Sequence, residues 1–198
     1  MVPAIAILVS ALIAALMAAS APALLRWPPA PEDEPDGIFA DLGTPRFRLV
    51  LAGLCLVSGV ALLATTGPAL WPVWAPLVAL GPLLGLIDAH TTFLPLRLNY
   101  LALALVTAGG GVSCWLRADG RPALVALGGG AGATACYALV WWLSRGQLGF
   151  GDVRLAGLLG VAAGATSLTV LVQTFVLGSL IGAVWAIIAR VRGRRNAF

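Results

Sequence analysis

Seven long apolar stretches divide the chain, at about Pro3–Leu25, Phe47–Thr66, Leu70–Ile87, Leu98–Trp115, Pro122–Leu143, Val153–Ala165 and Leu168–Ala189. Most approach the roughly 20 residues that a helix needs to cross a bilayer. None shows the strict polar and apolar alternation of a barrel strand. Because unpaired backbone amides are too costly in hydrocarbon, helices remain as the spanning element. The pattern predicts an all-α, polytopic transmembrane bundle of about seven segments, organised as a single integral membrane domain over residues 1–198. The sixth segment is short for a span.

Composition sharpens this reading. Of 198 residues, 60% are hydrophobic and 10% charged, with a mean hydropathy of +0.98, which excludes an ordinary soluble domain. The net charge of +4 raises the question of nucleic acid, but the twelve basic residues are all Arg and form no aromatic-interleaved patch. No nucleic-acid partner is expected; the partner is the lipid bilayer. The first segment has no basic residue before it and Arg26 after it, which favours a retained helix with its N-terminus outside over a cleaved signal. With seven crossings, ten arginines fall inside (Arg26, Arg46, Arg48, Arg97, Arg145, Arg154, Arg190, Arg192, Arg194, Arg195) and two outside (Arg117, Arg121). That asymmetry fits the positive-inside rule, puts the C-terminus in the cytoplasm and makes the sixth segment a crossing. The tryptophans, Trp27, Trp71, Trp74, Trp115, Trp141, Trp142 and Trp185, fall near segment ends and are expected to form an interfacial belt.

Between the first two segments, residues 26–46 form an acidic, Pro-rich cytoplasmic loop carrying Glu32, Asp33, Glu34, Asp36 and Asp41. It is expected to be extended and mobile, either a solvated connector or a surface that attracts a basic peptide. Cys55, Cys114 and Cys136 lie singly in apolar segments without metal-ligand spacing, so each is expected to be a small buried apolar residue. The Gly109–Gly111 and Gly128–Gly132 runs suggest close helix packing. No phosphate-binding or dinucleotide fingerprint is present, and no cofactor or metal is expected.

Five of the eight acids belong to that loop, and Asp119 sits between Arg117 and Arg121. Asp88 and Asp152 remain, each at a segment edge, separated by an even number of crossings and therefore on one face of the membrane. A carboxylate at a membrane boundary marks partners, pores or chemistry more often than chance placement. Asp152 follows Gly146-Gln147-Leu148-Gly149-Phe150-Gly151, a turn whose glycines permit positive φ and close backbone approach, and begins a helix whose dipole favours its charge. Asp88 ends a helix, where the dipole opposes charge, and Thr91-Thr92-Phe93-Leu94-Pro95 follows. The dipoles are expected to favour charge on Asp152 and to disfavour it on Asp88.

Gly149 to Leu155, GFGDVRL, resembles the Gly-x-Gly-Asp-Val-Lys-Leu motif of the type IV prepilin peptidases, and Leu86 to Pro95, LIDAHTTFLP, resembles their first motif, an Asp seven residues ahead of a Pro. The likeness covers roughly Leu70 to Ala189. It implies a GxGD-type membrane aspartic peptidase with Asp88 and Asp152 as the catalytic dyad and Gly149, Gly151 and Pro95 shaping the site. It further implies a multi-pass protein of the bacterial inner membrane that removes short basic leaders from prepilin-like precursors bearing an apolar helix, alongside pilus or secretion assembly proteins. Relatives often carry a cysteine-bearing N-terminal region and an N-methyltransferase activity; no CxxC pair occurs here, which implies a short form and leaves methylation open.

Two other classes compete with the peptidase. A catalytically silent scaffold of a pilus or secretion assembly would share the fold, and a proton-coupled transporter would use the two acids as a relay. His90, the single histidine, is expected to hydrogen-bond water or backbone rather than to join the acids around a metal. Arg154 points about 200° around its helix from Asp152 and is better placed for lipid phosphate or a substrate carbonyl.

Overall fold

The structure, a computed structural model, describes residues 2–31, 37–145 and 149–191. It contains seven α-helices: α1 (Val2–Arg26), α2 (Pro45–Thr65), α3 (Trp71–Thr91), α4 (Leu96–Arg117), α5 (Arg121–Leu143), α6 (Phe150–Thr166) and α7 (Leu168–Val191). No strand occurs among the described residues. The all-α class read from the sequence stands, and its apolar helices are those of a multi-pass membrane protein by length and composition. Among the described residues, five helical stretches are long and apolar enough to cross a bilayer: Pro3–Arg26, Pro45–Thr65, Pro68–Thr91, Leu96–Arg117 and Arg121–Leu143. The 17-residue α6 is shorter, about 25 Å at the usual rise.

The chain groups into two compact units, residues 1–119 and 120–198. In the first, α1 packs on α2, α2 on α3 and α3 on α4. Thr44 caps α2, its hydroxyl oxygen accepting from the Phe47 amide at 3.2 Å, and Pro45 occupies the first helical position, where no amide is needed. Small residues set the approach of the helices. A β-carbon on Gly59 of α2 would come within 2.6 Å of the Ser10 hydroxyl of α1, and one on Gly109 of α4 would collide with the Pro72 carbonyl of α3. The Arg48 guanidinium Nε donates to the Ala18 carbonyl at 2.7 Å, and Arg97 donates to the Trp27 carbonyl at 3.0 Å, tying α2 and α4 to the end of α1.

In the second unit, α5 packs closely along α6, which also contacts α7. The backbones approach through Gly129 and Gly130 on α5 and Gly157, Gly160 and Gly164 on α6: a β-carbon on Gly160 would lie 2.5 Å from the Gly129 carbonyl oxygen. The run from Gly160 to Ala165 is buried without interruption. By contrast, Gly111, Gly128 and Gly132 face open space, so close packing accounts for only part of each glycine run.

Several expectations need correction. The loop after α1 is not extended where it is described: Asp41, Leu42 and Gly43 fold back on Gly37, Phe39 and Ala40 in a turn of 3-10 helix that buries Phe39 to 3% exposure. A single aromatic among acids is enough to anchor it, because Phe carries a large apolar area. The residues from Glu32 to Asp36 lie outside the described residues. The tryptophans differ in setting, and the side chain of Trp185 lies outside the described residues. Trp27, Trp115 and Trp142 are exposed, but Trp74 is buried and Trp71 donates its indole N–H to the Leu63 carbonyl at 3.0 Å, closing the α2–α3 turn. Cys136 is exposed rather than buried, while Cys55 is fully buried.

Candidate functional site

Asp88 lies in the last turn of α3, half-buried, because α3 continues to Thr91 instead of stopping at Ile87. The extension is built from the polar residues themselves. His90 Nδ1 lies 2.8 Å from the Leu86 carbonyl oxygen, the Thr91 hydroxyl donates to the Ile87 carbonyl at 2.8 Å, and the Thr92 amide donates to the Asp88 carbonyl at 2.7 Å. Thr92 then takes a left-handed conformation, φ 59°, which ends the helix. A β-branched residue there is strained. Asp88 stands one turn beyond the buried Leu84 and shares its helix face, since residues four apart align. Pro95, buried and extended at φ −59°, opens α4 and accepts the Asn99 amide at 3.0 Å. The four residues from Thr92 to Pro95 are thus the whole connection between the acid-bearing turn and the next helix.

Asn99 was not singled out by sequence reasoning. It is 1% exposed, and its side-chain NH2 finds no partner among the described residues, as does the Ser113 hydroxyl further along the same helix. A buried amide without a partner is unusual. The signal available beforehand was its place four residues after Pro95, on the face of α4 that also carries the buried Ala102 and Val106.

In the other unit, Asp152 is the third residue of α6, half-buried, with Gly149 as the residue before the helix. The Asp152 amide donates to the Gly149 carbonyl at 3.0 Å, and its Oδ2 turns back to 3.6 Å from where a β-carbon on Gly149 would sit. An acid at this third position, curled toward the helix start, lies close to the free amides of the first turn. Among the described residues of this connection, Gly149 has φ −62°, ordinary extended backbone, Gly151 lies inside the first helical turn, and Arg145 is left-handed, φ 54°. Residues 146–148 of the turn lie outside the described residues.

Arg154 is half-buried, and its guanidinium carbon stands 4.8 Å from the centre of the Phe150 ring, one turn earlier on α6. Phe150 in turn meets Trp141 of α5 edge-on, with ring centres 5.2 Å apart. This cation and aromatic stack fixes Arg154 at the end of the α5–α6 pair.

The structure therefore groups Gly149, Gly151, Asp152 and Arg154 in one terminal turn of the second unit, and Asp88, His90 and Pro95 around one helix end of the first. No group of three His, Cys, Asp or Glu side chains gathers with metal-binding geometry among the described residues. Compared with family models, curated proteins and solved structures, the chain matches none.

Proposed function

We propose that the chain is a membrane aspartic endopeptidase that cleaves short basic leaders from prepilin-like precursors at the cytoplasmic face of a bacterial inner membrane, with Asp88 and Asp152 as its catalytic pair. The observation that carries the reading is the setting of the two acids. Each stands in a terminal turn of its helix with its motif's punctuation beside it: Thr92 and Pro95 after Asp88, Gly149 before Asp152. Two helices separate them, α4 and α5, and each is long enough to cross a bilayer. Two crossings return the chain to the face it left. Ten arginines against two favour the cytoplasm as that face, with the N-terminus outside.

The chemistry follows from the unequal helix ends. In the proposed reaction, Asp152, beside the amides of the first turn of α6, takes a proton from water as that water attacks the scissile carbonyl. Asp88, near the carbonyl end of α3, holds the proton that goes to the departing amine. Gly149 keeps the approach to the Asp152 carboxylate free of a side chain.

The deciding experiment is cleavage of a purified precursor with a basic leader by the wild type, Asp88→Asn and Asp152→Asn. Each variant is expected to lose at least about 100-fold in rate, the lower range for removing a general acid or base. Retained cleavage in either one defeats the dyad. A scaffold would cleave in none of the three while still supporting assembly; a transporter would lose proton flux in the variants instead.

A further inference from the structure

Where α2 begins and α3 ends, a cavity of about 490 Å³ opens between the two helices and the turn that buries Phe39. It is separate from the face carrying Asp88: its α3 wall is Leu86 and His90, two residues either side of Asp88 and so roughly 200° around the helix. Its polar groups are of both kinds. Asp41 supplies an exposed carboxylate and Arg46 an exposed guanidinium. The Thr44 hydroxyl oxygen accepts from the Phe47 amide at 3.2 Å, which leaves its hydrogen to donate. His90 Nδ1 lies 2.8 Å from the Leu86 carbonyl oxygen, a contact that puts an N–H on Nδ1, so that the tautomer it selects presents Nε2 as an acceptor. The Phe47 ring, edge-on to His90 with centres 6.0 Å apart, holds the imidazole in place.

We infer that this cavity binds the headgroup of an ethanolamine phospholipid from the bilayer, the phosphate on Arg46 and Thr44 and the primary ammonium on Asp41 and His90. The place selects a lipid, because the cavity lies at the ends of two helices long enough to span the membrane, where headgroups reside. Its chemistry selects a zwitterion, because donors and acceptors of opposite charge share one small volume. An ammonium with three N–H groups can satisfy two acceptors at once, which a quaternary choline cannot. The apolar side of the cavity extends along α2 from Phe47 to Val50, which is 44% exposed and lies further into the helix than the polar groups.

The test is lipid retention. Full-length protein is reconstituted with an equimolar mixture of phosphatidylethanolamine, phosphatidylcholine and phosphatidylglycerol of matched acyl chains, extracted in mild detergent, and its retained lipids are counted by native mass spectrometry. Wild type is expected to keep the ethanolamine lipid about fivefold over either competitor, and Asp41→Asn and Arg46→Gln are each expected to lose that preference. Equal retention of the three lipids overturns the inference, as does a preference that survives both substitutions. Preference for phosphatidylglycerol lost only in Arg46→Gln would show a simple anion site and also overturn it. Soluble O-phosphoethanolamine is the last arm: thermal stabilisation equal to that by the lipid would mean that the cavity reads a free metabolite, not the membrane. The wild-type comparison is decisive by itself should either variant fail to fold.

Discussion

Thr92 shows how much one residue can do at a helix end. A left-handed conformation is ordinary for Gly and Asn, but a β-branched side chain pays for it through contact with its own backbone, roughly 1 to 2 kcal/mol. The strain sits four residues after Asp88, at the start of the short connection to Pro95. Strain of this kind persists where the surroundings hold it, and such places cluster at functional sites. Thr92→Gly is therefore expected to stabilise the protein by about 1 kcal/mol, read as a higher midpoint in thermal unfolding in detergent, while lowering cleavage if the strain holds the Asp88 turn in place. An unchanged or lower midpoint would mean that the threonine hydroxyl, which donates to the Thr91 carbonyl at 2.6 Å, outweighs the strain. The sequence offered no hint of this conformation, since Thr92, Ala118 and Arg145 all adopt positive φ without being glycine. Composition marks a left-handed cap only when the residue is one that prefers it.

At the scale of elements, the apolar runs located every helix, yet their ends moved by up to four residues. Hydropathy falls at Asp88 and His90, so the sequence predicts a third segment ending at Ile87; hydrogen bonding does not fall there, and α3 runs on to Thr91. Which side of a helix is buried was illegible for a related reason. In lipid the outer surface is as apolar as the core, and Leu8, Leu12 and Leu16 of α1 are all exposed while Ala6, Ala14 and Ala21 are buried. Large apolar residues fall on both sides, since Met17 and Leu25 are buried with the alanines, so size and hydropathy alone do not mark the packed side. Neighbouring glycines divide too: Gly109 has the α3 backbone against it, and Gly111 has nothing within 4 Å. Gly109→Ala is expected to force α4 away from α3 and destabilise the protein by about 1 to 3 kcal/mol. Gly111→Ala should be neutral or stabilising by up to about 1 kcal/mol, through its better helix propensity. Thermal unfolding of the two variants side by side checks the pair, and equal effects would mean that the α3–α4 contact is not as close as its geometry indicates.

For the whole molecule, the proposed chemistry depends on which side of the membrane the acid-bearing turns face; α6 runs on from the second acid and decides where α7 and the arginines after it lie, on which the inside-positive orientation rests. It is the shortest of the seven helices at 17 residues, and a helix of about 25 Å spans a hydrocarbon core of about 30 Å only if the bilayer thins or flanking residues reach out to the interface. Were it to turn back instead, Ser167 would face the cytoplasm with Asp152, and the arginines after α7 would emerge outside, against the positive-inside rule. Single cysteines distinguish the two arrangements in a background of Cys55→Ala, Cys114→Ser and Cys136→Ser. Gly67→Cys and Gly120→Cys lie in open turns with nothing within 4 Å of the new β-carbon, and both should react with a membrane-impermeant maleimide added outside. Phe93→Cys, exposed in the connection after Asp88, should react only once the membrane is permeabilised. Ser167→Cys, exposed at the α6–α7 junction, is the informative position. Labelling from outside makes α6 a crossing and puts the arginines after α7 on the same side as both acid-bearing turns, as the positive-inside rule requires. Labelling only after permeabilisation makes α6 re-entrant and reverses α7, and labelling of Phe93→Cys from outside would move Asp88 away from the face where a cytoplasmic leader could reach it.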